Sequence, residues 1–245
     1  MCEQYVAVAD APFRIRALWP LTERLERFGL AGFGWGATWL TADEELRSHR
    51  DIGAFRDDPA RERVGNEVTR AVLVHLRRPS KFSTIGLPDT QPFDDPAGRY
   101  AFGHNGDFAN HRALRARYRA AGRLHGHADT EVGARWLEDA WAEAASPEAA
   151  LRELHDTFGG RANLAVLTRN GEAYHYAGND ENPVFTFDVE GEGDGDAATI
   201  HLACTGMYSL DRSLFRFVAF EATNRRLVAR GSTVRLAPAP ALVRP

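Results

Sequence analysis

Phe102-Gly103-His104-Asn105-Gly106-Asp107-Phe108-Ala109-Asn110 acquires its meaning from Met1-Cys2-Glu3, far upstream. A cysteine directly after the initiator methionine can become the first residue, because methionine removal is efficient when residue two is small. Cys2 would then carry both a thiol and a free α-amine, with reference pKa values of about 8.5 and 7.7–8.0. That unites a nucleophile with a base of near-neutral pKa. In the later stretch, Asn105 offers a side-chain amide donor and Gly106 a backbone N–H unobstructed by a Cβ. A tetrahedral oxyanion needs fixed donors of this kind.

Around these two stretches the periodicity lays out the elements. Tyr5-Val6-Ala7-Val8-Ala9 predicts a first strand, ended by Asp10-Ala11-Pro12. Leu18 to Phe28 has helical spacing, with Gly29 as its stop. Phe33 to Leu40 predicts a glycine-punctuated strand and Ala71 to Leu76 a buried one, with Arg61 to Asn66 in a solvated connection between them. Pro79 to Pro96 is proline-rich and polar, an irregular loop of the kind that often serves function. Tyr100 to Phe102 then predicts a short strand leading into a His104-Asn105-Gly106 turn.

Helices follow. Arg112 to Ala121 is basic and closed by Gly122. Asp129 to Ala145 shows an apolar face of Val132, Trp136, Leu137, Ala140 and Trp141. Ser146-Pro147 supplies a cap and a first-turn proline for a third helix, which Gly159-Gly160 ends. Ala162 to Thr168 and Glu172 to Tyr176 flank Asn170-Gly171, a strong hairpin signal. Thr199 to Cys204, Leu214 to Glu221, Arg225 to Arg230 and Thr233 to Leu236 read as further strands. The run Glu190 to Asp196 lacks the ligand spacing of a calcium loop and reads as a solvated hairpin tip. Strands at both ends with helices between them predict an α+β fold in one domain, residues 2–245.

The 245 residues are 44% hydrophobic and 26% charged, ordinary for a soluble globular protein. A formal net charge of −4 offers no general attraction to nucleic acid or anionic membrane. No apolar run approaches the roughly 18 residues of a spanning helix. The polar Cys2-Glu3-Gln4 start is unlike a signal peptide, so a cytoplasmic location is expected. With only Cys2 and Cys204, neither a disulfide framework nor a cysteine-based zinc site is expected. The nine histidines, His125-Gly126-His127 among them, lack metal-ligand spacing, and no metal or other cofactor is expected.

Hydrolysis of a side-chain amide would also require the substrate's charged end to be held. A forked guanidinium suits an α-carboxylate and a carboxylate suits an α-ammonium. Arg77, just after the buried strand, and Asp129, at a helix start, have the right types. Plainer readings exist for each residue. Cys2 can be a reduced, partly buried side chain, Asn105-Gly106 only a hairpin turn, Arg77 an ion-pair partner and Asp129 a helix cap.

Together the motifs resemble class II glutamine amidotransferases of the short stand-alone type, which are N-terminal-nucleophile hydrolases. Met1-Cys2-Glu3, Gly34-Trp35-Gly36, His75-Leu76-Arg77 with Ser80, Thr90-Gln91-Pro92-Phe93, Gly103-His104-Asn105-Gly106 through Asn110, and Ala128-Asp129-Thr130-Glu131 occur in the family's order. The resemblance spans residues 1 to about 131 and implies a four-layer αββα sandwich. It implies Cys2 as nucleophile with its freed amine as base, and Asn105 with Gly106 as oxyanion hole. It further implies Arg77 and Asp129 as the glutamine clamp, with Trp35, Gly36 and Ser80 at the substrate pocket. Leu30-Ala31-Gly32-Phe33, Arg78, Ser80 and Asp89 depart from the family pattern, and they bear on the leaving group more than on amide cleavage. The implied activity is hydrolysis of glutamine or a γ-glutamyl amide through a Cys2 thioester. The alternatives are a glutaminase subunit supplying ammonia to a separate synthase, and a non-catalytic glutamine-sensing module. Oligomeric state is not readable from the residues.

Overall fold

A computed structural model describes residues 2–192, 197–206 and 214–238. β1 (Glu3–Arg14) opens the chain and is followed by α1 (Trp19–Gly29), β2 (Trp35–Leu40), β3 (Leu46–Asp51), α2 (Ala60–Asn66) and β4 (Val68–Leu76). The middle comprises β5 (Phe93–Asp94), β6 (Tyr100–Phe108), α3 (Arg112–Ala120), α4 (Asp129–Ala140) and α5 (Pro147–Phe158). The last strands are β7 (Gly160–Thr168), β8 (Ala173–Tyr176), β9 (Val184–Glu192), β10 (Ala197–Thr205), β11 (Thr223–Leu227) and β12 (Thr233–Leu236). No described helix is long and apolar enough to cross a membrane.

Two antiparallel sheets result. The seven-stranded one has the order β11-β9-β10-β1-β4-β2-β3, the five-stranded one β12-β8-β7-β6-β5. β1 lies between β4 and β10, and its sheet is covered by helices on one face and by the second sheet on the other, which is why Tyr5 to Ala9 is an unbroken apolar run rather than an alternating one. Its odd-numbered residues Tyr5, Ala7 and Ala9 pack under Leu21 and Leu25 of α1, Val64 of α2 and Phe215 of a short π-helical turn, Leu214–Val218. Its even-numbered Val6 and Val8 face the other sheet and meet Leu73, Ala101, Ala165, Leu167 and Ala203. The outer face of the five-stranded sheet is covered by Tyr118 of α3, Val132 and Leu137 of α4, and Leu151, Leu154 and Phe158 of α5. The layers run α, β, β, α.

Local signals place most elements. Ser146 Oγ accepts the Ala149 N–H and Pro147 occupies the first turn of α5. The Asn170-Gly171 hairpin joins β7 to β8. Several boundaries differ from expectation. β1 runs past Pro12 to Arg14 through a bulge between Val8 and Phe13. Leu30, not Gly29, takes the left-handed position that ends α1. Arg61 to Asn66 is helical within α2, because Val64 is buried against the α1 side of the core. α4 stops at Ala140. Leu214 to Val218 is a π-helical turn rather than a strand, with Phe215 set edge-on against Phe185 and Phe187. β3 and β9 are additional strands. β9 and β10 pair as far as Glu192 and Ala197, and the tip expected at Gly193–Asp196 lies outside the described residues.

The largest revision concerns His104-Asn105-Gly106. It is not a turn but the continuation of β6, paired throughout with β7, Asn105 opposite Asn163 and Gly106 opposite Ala162. Gly106 adopts φ +139°, and a Cβ there would lie 1.7 Å from the Arg161 carbonyl oxygen. Only glycine lets β7 approach so closely.

Candidate active site

The first residues of β1 and the last of β4 sit side by side, with Glu3 opposite Leu76 and Gln4 opposite His75. The sheet therefore delivers Cys2 and Arg77 to the same edge. The Arg77 main chain is pinned there, its N–H to the Gly34 carbonyl at 2.8 Å and its carbonyl to the Phe33 N–H at 3.2 Å. Antiparallel β6 in the facing sheet ends at that edge too, so Gly106, Asp107 and Phe108 join them. α4 starts beside β6, and Asp129 Oδ2 accepts the Phe108 N–H at 2.7 Å. The result is a cavity of about 580 Å³ lined by Cys2, Arg77, Ser80, Gly106 and Asp129, with Asp89, Gln91 and His104 in its wall.

Cys2 is half-buried. Its sulfur accepts the Arg78 N–H at 3.4 Å, and its carbonyl accepts from Asn182 Nδ2 at 3.1 Å. Burial pushes the thiol pKa up, and the Arg78 N–H and the Arg77 cation pull in the opposite direction without cancelling it. The thiol is therefore the resting form at neutral pH, and reaction at sulfur needs a base. Burial also lowers the Arg77 pKa, opposed by Cys2 and Asp89, but a guanidinium keeps its proton. Arg77 is 4% exposed and its Nη1 has no hydrogen-bond partner among the described residues. Such a donor is expensive to leave unmatched unless a ligand completes it.

Asn105 is fully buried, and neither atom of its amide has a partner among the described residues. Ala101, four residues earlier on β6, faces the other sheet, whereas Phe102 faces the helices. Period-two alternation therefore turns Asn105 inward between the sheets. Its neighbours His104 and Gly106 line the cavity, while Asn105 stands behind them. Trp35 and Gly36 are also not in the wall. The Trp35 ring packs on Trp19 and Phe55 and donates to Asp58 Oδ2 at 3.0 Å, in the core under α1. A Cβ at Gly36 would meet the Gln91 carbonyl at 2.3 Å, so the glycine lets the cavity wall close on β2.

Asp89 and Gln91, which the sequence offers only as parts of motifs, and Asn163 and Asn182, which it does not single out, support the site. Asp89 Oδ1 accepts the His127 and Ala128 N–H groups at 2.7 and 2.6 Å, fixing the approach to Asp129. Gln91 Oε1 accepts the His104 N–H at 2.6 Å, and the His104 ring stacks on Phe108 with centroids 4.1 Å apart. Asn182 is held by Asn163 Nδ2 at its carbonyl, 2.6 Å away, and Asn163 in turn receives Gln4 Nε2 at 3.2 Å. Asn182-Pro183 carries only a turn signal in sequence.

Residues 85–177 match the model of a family described as a glutamine amidotransferase domain. The segment includes Asn105, Gly106 and Asp129 but not Cys2, Arg77 or Ser80. Among solved structures, a glutamine phosphoribosylpyrophosphate amidotransferase from B. subtilis, complexed with ADP and GMP, aligns with TM-score 0.67 and 17% identity over 96% of this chain and 47% of its own. An allosteric regulatory enzyme of purine biosynthesis aligns with TM-score 0.69 and 16% identity over 96% and 47%. A glutamine aminotransferase class-II domain protein from silicibacter pomeroyi aligns with TM-score 0.57 and 16% identity over 96% and 94%. The chain spans about half the length of the first two. No curated protein matches in sequence. The resemblance to a glutamine amidotransferase domain over residues 85–177 and the four-layer αββα sandwich both stand.

Proposed function

We propose that residues 2–245 act as one amidohydrolase domain that cleaves the side-chain amide of glutamine or a γ-glutamyl compound through a Cys2 thioester. The observation that carries this reading is the convergence of Cys2, Arg77, Gly106 and Asp129 on one cavity, from four elements distant in sequence.

Removal of Met1 frees the Cys2 amine. Because the thiol is held protonated, that amine takes its proton, and the thiolate attacks the substrate Cδ. Arg77 Nη1 holds the α-carboxylate and the Asp129 carboxylate the α-ammonium. The developing oxyanion receives the Gly106 N–H from the cavity wall and the Asn105 amide from between the sheets behind it. Collapse breaks the C–N bond, the leaving nitrogen takes the proton from the α-ammonium of Cys2, and a thioester remains. Water, deprotonated by the same amine, attacks the thioester carbonyl. The sulfur leaves, recovers the proton, and glutamate departs.

Glutamate release by untagged protein tests this, with Cys2→Ala as the comparison. The expected result is turnover in the parent and none above background in the variant. Unchanged turnover in Cys2→Ala excludes the mechanism, and tight glutamine binding without turnover in the parent supports a sensing module instead. A second reading, delivery of ammonia to a separate synthase subunit, is favoured by the exposed apolar residues Phe82, Ile85 and Leu87 on the loop beside the cavity.

A further inference from the structure

Three cations at the cavity mouth have no part in the proposed chemistry. Arg78, Lys81 and Arg115 line the cavity, the first two from the loop after β4 and the third from α3. Arg78 and Arg115 are half-buried and Lys81 is exposed. None of the three side chains forms an ion pair or hydrogen bond with a described residue. The carboxylates of the same cavity are otherwise engaged. Asp89 receives the His127 and Ala128 N–H groups, Asp129 those of Phe108 and Thr130, and Asp107 faces Arg161 at 3.6 Å. A glutamyl head group brings one carboxylate to Arg77 and one ammonium to Asp129, and leaves the three outer cations unopposed.

Cations gathered in one concavity repel one another unless an anion lies among them. The size of the cavity points the same way. At about 580 Å³ it falls in the range of about 300–1,000 Å³ that houses drug-sized ligands, and free glutamine is smaller than these. We infer that the substrate is a γ-glutamyl amide whose leaving amine carries an anionic group, a carboxylate or a phosphate, and that Arg78, Lys81 and Arg115 hold that group at the mouth. The inference rests on the proposed amide hydrolysis and names its leaving-group class. The bond changes are unaltered: the C–N bond breaks, the amine leaves with the proton from Cys2, and the anion leaves with the amine.

The test compares kcat/KM of untagged protein for γ-glutamyl ethylamide, γ-glutamyl-β-alanine and γ-glutamyl-phosphoethanolamine, beside glutamine. The expected preference for an anionic over the neutral amide is about tenfold or more, residing mainly in KM, and it shrinks as salt is raised. The larger of the two anionic values identifies carboxylate or phosphate as the preferred group. In the combined variant Arg78→Gln, Lys81→Gln, Arg115→Gln the preference falls toward one. Lys81→Gln alone, at an exposed position, lowers it severalfold and guards against a folding defect in the combined variant. Hydrolysis of all the amides with equal efficiency, or a preference that survives the combined variant, overturns the inference while leaving amide hydrolysis in place. Absence of hydrolysis of every amide, glutamine included, overturns both.

Discussion

Along β1, β4, β6, β7, β8 and β10, the residues that face the opposite sheet change character from one end to the other. At the far end they are Val8, Ala71, Leu73, Ala101, Leu167 and Ala173, small or branched, fully buried and mutually packed. At the end where Cys2 lies, the same rows continue as Gln4, His75, Asn105, Asn163, His175 and Thr205, equally buried. In this second half, Gln4 Oε1, both nitrogens of His75, Nδ1 of His175 and both amide atoms of Asn105 have no partner among the described residues. An unmatched buried polar atom costs about 1–3 kcal/mol. The apolar half therefore stabilises the sandwich, while the polar half contributes less to stability and holds the polar groups that a site beside Cys2 would use.

Exchanging the demands on the two halves sharpens that contrast. Asn105→Ala is expected to lower kcat by about 10²–10³-fold, the usual loss for one oxyanion donor. Unfolding free energy should not fall and is expected to rise by about 1 kcal/mol or more, since two unmatched buried polar atoms leave and no hydrogen bond is lost. Leu73→Ala, on the apolar half, is expected to do the reverse: about 3 kcal/mol less stable by denaturant unfolding, with kcat of the remaining folded protein close to the parent's. Equal effects of both variants on stability would erase the distinction between the halves.

Asn182→Ala removes the donor that fixes the Cys2 carbonyl without touching the substrate directly. An effect of about tenfold in kcat with little change in KM is expected from lost positioning. A change confined to KM would contradict a positioning role.

The smallest effect is in pH dependence. Burial holds His75 and His175 neutral, their pKa values pushed down to about 3, against an ordinary value of about 6.5. On acidification the unfolded chain takes up these protons first, so stability is full above about pH 6.5 and drains as pH falls toward 3. The slope is on the order of 1 kcal/mol per pH unit for each imidazole. Denaturant unfolding at pH 7, 6, 5 and 4 measures it, and replacing both histidines with Gln should flatten the curve over that range. An unchanged slope would mean that the imidazoles are not held neutral.

How far the sequence discloses this organisation depends on what each residue must do. Cys2, Arg77, Gly106 and Asp129 can be singled out in the sequence as candidates because amide hydrolysis would call for their types: a thiol, a fork, an open N–H, a carboxylate. Their common location was not, since it arises from the register of β1 on β4 and from β6 ending at the same edge. Asn105-Gly106 reads locally as a turn, yet pairing with β7 holds it extended, a tertiary effect that a dipeptide preference does not contain. Trp35 sits beside the motif glycines but turns its ring into the core, as period two requires of a residue two before the equally core-facing Ala37. β3, Leu46-Arg47-Ser48-His49-Arg50-Asp51, carries no apolar alternation because it is an edge strand, partnered among the described residues by β2 alone. Leu214 to Val218 looked like a strand by its apolar content, but filling the space beside Phe185 and Phe187 set its conformation.

All of the chemistry requires that Cys2 be the terminal residue of the working protein and the atom that bonds to substrate. Intact-mass spectrometry of untagged protein, before and after treatment with a glutamine-like electrophile, reads both at once. The expected result is a mass lacking Met1, one adduct localised to Cys2, and protection by glutamine or a γ-glutamyl amide. Active protein that retains Met1, or an adduct that forms elsewhere while Cys2 stays free, would contradict it.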